Sequence, residues 1–262
     1  MPLPLPLPLL TRRCERLTVE VFADRAALGS YAAAAAADYL RRCLAGQERV
    51  RIIFAAAPSQ NEFLAALAQA EGIDWSRVTA FHMDEYIGLP SDSKQRFSHY
   101  LNQHLFQLVR PGTVHLIPAW EDTQRICRHY ERLLRQAPVD MVFLGIGENG
   151  HLAFNDPPVV DFQDPAMMKT VALDPVCRQQ QVNDGCFPAL DAVPTHALTL
   201  TIPALMAAGR LFCMVPGAQK RLAVAALLGQ PISTRWPATI LRTHAACTLY
   251  TDQDAFGENA HE

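Results

Sequence analysis

Residues 139–145, Val-Asp-Met-Val-Phe-Leu-Gly, constrain the fold of this 262-residue chain more than any other segment. Apart from one aspartate the run is apolar at consecutive positions, and side chains along a strand point alternately to opposite faces, so both faces of such a strand need cover. A sheet with one wet face would alternate apolar and polar residues. Unbroken apolarity calls instead for parallel strands with helices packed on both sides. The flanking sequence agrees: 17–22, 50–55, 78–83, 114–117, 197–202, 211–215 and 247–250 read as further strands. Helical patterns separate most of them: from an Asp24 cap to about residue 43, over 61–70, ending near 109, over 121–135 and over 218–228. The expected fold class is therefore α/β, a three-layer sandwich around a mostly parallel, Rossmann-like open sheet, with functional groups at the carboxyl ends of the strands. The fifty residues after 145, rich in Pro, Asp and Gln, read as irregular and as a candidate lid. No repeat or linker divides the chain, so 16–262 is expected to be a single domain. Residues 1–15 are expected to be an extended or disordered arm, because Pro at 2, 4, 6 and 8 forbids a helix.

Composition excludes several functions. Half of the residues are apolar and 26 acidic against 23 basic residues give a net charge of −3, so disorder and nucleic-acid binding are not expected. The apolar run 31–37 stops at Asp38, far short of the roughly 18 residues of a membrane span. Seven cysteines form no CxxC pair, and their odd number suits a reducing cytoplasm.

Three strand ends carry polar residues beyond what structure alone requires. In 81–90, Asp84 and Glu85 follow a buried strand directly, with Gly88 and Pro90 fixing a turn, so one carboxylate should face the crevice and its neighbour point away. In 144–158, Gly145, Gly147 and Gly150 permit close backbone approach and an anion-holding nest. Their spacing matches GxGxxG, yet no long helix with an acidic residue about 20 positions on follows, so a dinucleotide site is not the favoured reading. His151, set among Glu148, Asn149 and Asp156, reads as a general acid or base. In 214–221, Gly217 turns the chain into a helix whose first turn holds Lys220, a good place for a phosphate. Ser59 and Gln60 occupy an analogous strand end and could also simply cap the next helix.

The blocks Met83-Asp84-Glu85-Tyr86 with Gly88-Leu-Pro90, Gly145 to Pro157, and Gly217-Ala-Gln-Lys220 closely resemble, in order and spacing, the glucosamine-6-phosphate deaminase (isomerase) family, from about residue 50 to 250. The resemblance implies isomerisation of an amino-sugar phosphate with loss of ammonia, without metal or cofactor, in a homo-oligomer. It implies Asp84 as the base at C2, through an enolamine intermediate, and His151, aided by Asn149 and Asp156, as the ring-opening group. It implies Lys220 with Ser59 and Gln60 around the phosphate, and Glu85, Gly147 and Gly150 as further substrate-binding residues. The chain departs from the family in five places. Asn149 stands where the family has an aspartate, which removes a charge beside the imidazole, and Asp156 stands where it has a glutamate. The phosphate loop reads Ala-Ala-Pro58-Ser59-Gln60 instead of Gly-rich, and the lid arginine aligns near Asn183 and not on Arg178. Of the allosteric positions Lys169 is present without its arginine. A 6-phosphogluconolactonase-type hydrolase, another sugar-phosphate isomerase on the same fold, and a non-catalytic sugar-phosphate sensor are the alternatives.

Overall fold

A computed structural model describes residues 5–119 and 121–257. The strands are β1 (Leu10–Cys14), β2 (Leu17–Phe22), β3 (Val50–Phe54), β4 (Val78–His82), β5 (Asp84–Tyr86), β6 (Thr113–His115), β7 (Met141–Leu144), β8 (Met168–Ala172), β9 (His196–Leu200), β10 (Arg210–Val215) and β11 (Cys247–Asp252). The helices are α1 (Arg25–Gly46), α2 (Asn61–Ala68), α3 (Phe97–Leu101), α4 (Gln107–Val109), α5 (Thr123–Leu134), α6 (Pro175–Asn183), α7 (Ile202–Met206), α8 (Arg221–Gly229) and α9 (Gln253–Phe256), with a π-helical turn, Asn102–Phe106, joining α3 to α4.

Eight strands form one sheet in the order β1-β2-β11-β10-β7-β3-β4-β6, parallel throughout except for the antiparallel β1–β2 hairpin. The run over 139–145 becomes β7, inside this sheet between β10 and β3, and all four of its residues are buried. Val142 and Leu144 pack into one apolar cluster with Ile126, Tyr130 and Leu134 of α5 and Val224 and Leu227 of α8. Met141 and Phe143 pack into the opposite cluster with α1, α2 and Leu105 of the π turn. Both faces are thus covered, and the α/β sandwich expected from the sequence is the fold observed.

Two segments differ from the sequence reading. The fifty residues read as irregular contain β8 and α6, and β9, read as part of the main rhythm, pairs antiparallel between β5 and β8 in a separate three-stranded sheet. Strand β8 is half exposed, with a polar Lys169-Thr170 centre, and α6 is rich in glutamine, so neither shows the apolar periodicity that a buried element needs. The Asp174 cap, whose side chain accepts the Val176 N–H (2.8 Å) ahead of Pro175, was the available signal. At the N-terminus the extended stretch includes β1, the edge strand of the main sheet; the expectation for residues 1–4 lies outside the described residues.

Helix α1 starts where Asp24 accepts the Ala27 N–H at 2.8 Å and buries Ala32, Ala33, Ala36 and Ala37. Small residues on this face let α1 lie close to its neighbours. The tightest point is Gly29, where a Cβ would stand 2.6 Å from the Glu62 Cβ and 2.8 Å from the Phe63 nitrogen at the start of α2. Alanine gains about 1 kcal/mol over glycine in helix propensity, but overpacking costs about 1–3 kcal/mol or more when the obstacle is backbone. Gly29→Ala is therefore expected to lower the urea midpoint with an unchanged m-value; a raised midpoint would show that the two helices separate freely.

Candidate active site

The strands β10, β7, β3 and β4 are consecutive neighbours in the sheet, and the loops leaving their carboxyl ends meet at one open cavity. Ser59, Asp84, Gly147, His151 and Lys220 all line it. These five sequence-predicted residues come together although they span 162 positions of the chain.

Asp84 leaves β4 after Met83 and begins β5, so its side chain enters the cavity while its backbone is clamped to Thr199 in β9. It is 7% exposed, and burial, with the neighbouring Glu85 charge added, raises its carboxyl well above the usual range. Glu85 points the other way, as the alternation of a strand demands. It is fully buried, accepts the N–H groups of Tyr86 (3.0 Å), Phe97 (3.1 Å) and Ser98 (3.0 Å), and faces Arg96 at 3.4 Å. Burial raises its carboxyl too, against the lowering by Arg96 and these N–H groups. It anchors the first turn of α3 and does not reach the cavity, which corrects the substrate-binding expectation. Behind Asp84, burial holds His82 neutral by lowering its imidazole to about 3, helped by the Arg96 charge, and its Nε2 accepts the Ile117 N–H at 2.8 Å.

His151 folds back over Gly147, where any Cβ would stand 2.0 Å from the imidazole Cε1 and 2.3 Å from both ring nitrogens. The sequence motif thus has a packing reason at this glycine, whereas Gly150 (φ +81°) lies against the Trp236 ring, away from the cavity. The His151 Nδ1 stands 2.7 Å from Asn149 Oδ1 and 3.0 Å from Asp156 Oδ1, and Asn149 Nδ2 donates to the same Asp156 oxygen at 2.9 Å. Both neighbours of Nδ1 are acceptors, which assigns the proton to Nδ1 and leaves Nε2 to exchange protons. Asn149 and Asp156 stand behind the ring and not on the cavity wall. The charge absent from position 149 is supplied by Asp156, fully buried. Burial alone would raise the Asp156 carboxyl, but the His151 charge and the hydrogen bonds from His151 and Asn149 outweigh it and lower it. Cys177 completes a trio with ligand atoms of His151 and Asp156 within 4.8 Å of one another, the arrangement among the described residues closest to a metal-ligating set.

Gln60 is buried, its Nε2 lying 3.3 Å from the Met214 carbonyl and 3.5 Å from that of Leu144, so it ties the loop to β10 and β7 and does not line the cavity. Lys220 is 4% exposed and has no hydrogen bond or ion pair among the described residues; burial lowers its ammonium pKa, against the opposing charges of Asp184 and Glu148. Helix α6 brings Gln180 and Gln181 to the wall, its C-cap brings Asp184, and α1 brings Arg25, none of which motif reading singled out. Arg178 turns away to the carbonyls of Leu190 (2.7 Å) and Val193 (2.8 Å), and Lys169 pairs with Asp164 at 2.8 Å.

The profile of the family described as glucosamine-6-phosphate isomerases/6-phosphogluconolactonase matches residues 23–250. The chain belongs to this family. Relatives named glucosamine-6-phosphate deaminase include one from Shouchella clausii, 32% identical over 77% of this chain and 83% of its own length, and one from Bacillus cereus strain G9842, 36% identical over 70% and 68%. A solved monomeric glucosamine-6-phosphate deaminase superimposes with a TM-score of 0.83 at 29% identity, covering 90% of this chain and 98% of that one. A 6-phosphogluconolactonase from Thermotoga maritima, at 19% identity and a TM-score of 0.73, shares the fold.

A carboxylate held below its usual value contributes stability that is present above the unfolded value, about pH 4, and is lost as pH falls through the folded one. The acid limb of the stability curve should therefore be shallower in Asp156→Asn than in the native protein, measured by urea midpoints from pH 6 downward. Parallel limbs would show that Asp156 is not held as a charged partner.

Proposed function

We propose that this protein is a glucosamine-6-phosphate deaminase, converting that amino-sugar phosphate, or a close relative, to a ketose phosphate and ammonia. The observation carrying this reading is that Asp84 and His151 line the same cavity as the buried, unpaired Lys220. A phosphate on Lys220 would fix one end of the sugar, and charge-assisted contacts of this kind are the strong ones. With Nδ1 held by Asn149 and Asp156, the imidazole can pass a proton to and from the ring oxygen through Nε2, which opens the pyranose. Asp84 then takes the C2 proton, leaving an enolamine; protonation at C1 gives a C2 imine, which water hydrolyses to the ketone and ammonia. A buried carboxyl with a raised pKa suits this base, since the proton must be taken and returned near neutral pH. The same reading places the protein in the cytoplasm as a homo-oligomer. No described helix is long and apolar enough to cross a membrane, and light scattering decides the assembly, one structural relative being monomeric.

Ammonia release and ketose formation from a panel of amino-sugar phosphates test the activity. Asp84→Asn is expected to abolish exchange of the C2 proton with solvent while ligand binding persists; unchanged exchange removes Asp84 from this role. Because the base acts deprotonated and its carboxyl is raised, activity should fall as pH drops through a value above the ordinary 4 of an aspartate. Lys220→Ala is expected to raise KM for the phosphorylated sugar by roughly ten- to a few hundred-fold and to leave that for glucosamine nearly unchanged. Equal effects on both sugars would sink the phosphate assignment.

A further inference from the structure

The cavity carries two permanent cations on its wall, Lys220 and Arg25. A phosphate monoester brings about −1.5 to −2 charges at neutral pH, and Lys220 is already opposed by Asp184 and Glu148. One ammonium so placed leaves much of that charge uncompensated. The helix that closes the cavity, α6, offers only glutamines and an acid there.

Arg25 is placed with care. It opens α1 directly after the Asp24 cap, and Gly29, one turn on, seats that helix on the start of α2. There the Arg25 Nε and Nη2 meet the Glu62 carboxylate at 2.7 and 2.9 Å, and Nη2 also donates to the Pro58 carbonyl at 2.9 Å. Pro58 and Ser59 form the loop at the end of β3, whose other side is fastened by Tyr100 on the Ala57 carbonyl (2.8 Å). Nη1 has no partner among the described residues, and the side chain is 42% exposed. A guanidinium oriented on one edge with its remaining amino group unpartnered suits a phosphate oxygen.

We propose that Arg25 is the second cation of the substrate's phosphate site, held in place by Glu62 and Pro58. The inference deepens the deaminase reading and rests on it for the substrate, though not for the anion. The test uses the full-length protein, with inorganic phosphate as calorimetric probe and glucosamine-6-phosphate against glucosamine as substrates. Arg25→Gln should weaken phosphate binding and raise KM for the phosphorylated sugar by roughly ten- to a hundred-fold, with kcat changed only a few-fold; Arg25→Lys should restore part of the loss. Glu62→Gln, which removes the latch and keeps the cation, should weaken phosphate binding far less than Arg25→Gln. Equal losses in the two would mean that Arg25 only braces the helices, and an unchanged phosphate affinity in a folded Arg25→Gln would overturn the proposal. If Lys220→Ala loses phosphate and Arg25→Gln does not, the inference fails and the deaminase reading stands. If the native protein binds phosphate through Arg25 but releases no ammonia, the reverse holds.

Discussion

Burial of β7 on both faces is the constraint on which the rest depends. A strand with Val142 and Leu144 in one apolar cluster and Met141 and Phe143 in the other cannot sit at a surface. Its neighbours β3 and β10 must therefore run parallel to it, and each connection must cross a face of the sheet as a helix. All the carboxyl ends then open on one side. The chain turns back between β3 and β10 at β7, and that reversal creates the crevice in which Ser59, Gly147, His151 and Lys220 meet.

The crevice is lined by groups that are costly to bury, and each is held by a layer behind it. Asp84 is presented by a backbone that Glu85 pins to the start of α3 through the N–H groups of Phe97 and Ser98. His151 is held by Asn149 and Asp156, which share one hydrogen-bonded triangle. In that triangle the amide at 149 donates to Asp156, where a second carboxylate would face the first at 2.9 Å. The asparagine is therefore consistent with a single full charge behind the ring, supplied from position 156. Such polar networks are specific because every lost partner leaves a buried group unsatisfied.

The small β5-β9-β8 sheet and α6 close the crevice from above with another balance of groups. Gln180 accepts the Glu148 N–H at 2.9 Å, linking this lid to the loop that bears His151, and Asp184 faces Lys220. Asp184, the buried Lys220 and Arg25 of α1 thus reach one cavity from different layers of the fold.

The parallel sheet, most of its helices and the strand-end placement of Asp84, His151 and Lys220 were legible in the sequence, because apolar period and strand-end glycines are local signals. The Asp84–Glu85 division was legible too, since adjacent strand residues face opposite ways. What only the tertiary structure decided is which polar residues reach the cavity. Gln60 and Glu85 bear the right groups but turn to backbone partners, and Asn149 and Asp156 stand one layer back. Arg25 sits 195 residues from Lys220 and carries no motif of its own. Its place follows from Gly29 packing α1 onto α2, a long-range contact that no local pattern encodes. Strand β8 and helix α6 were likewise hidden, because their stability comes from cover by the small sheet's own apolar cluster and not from their own periodicity.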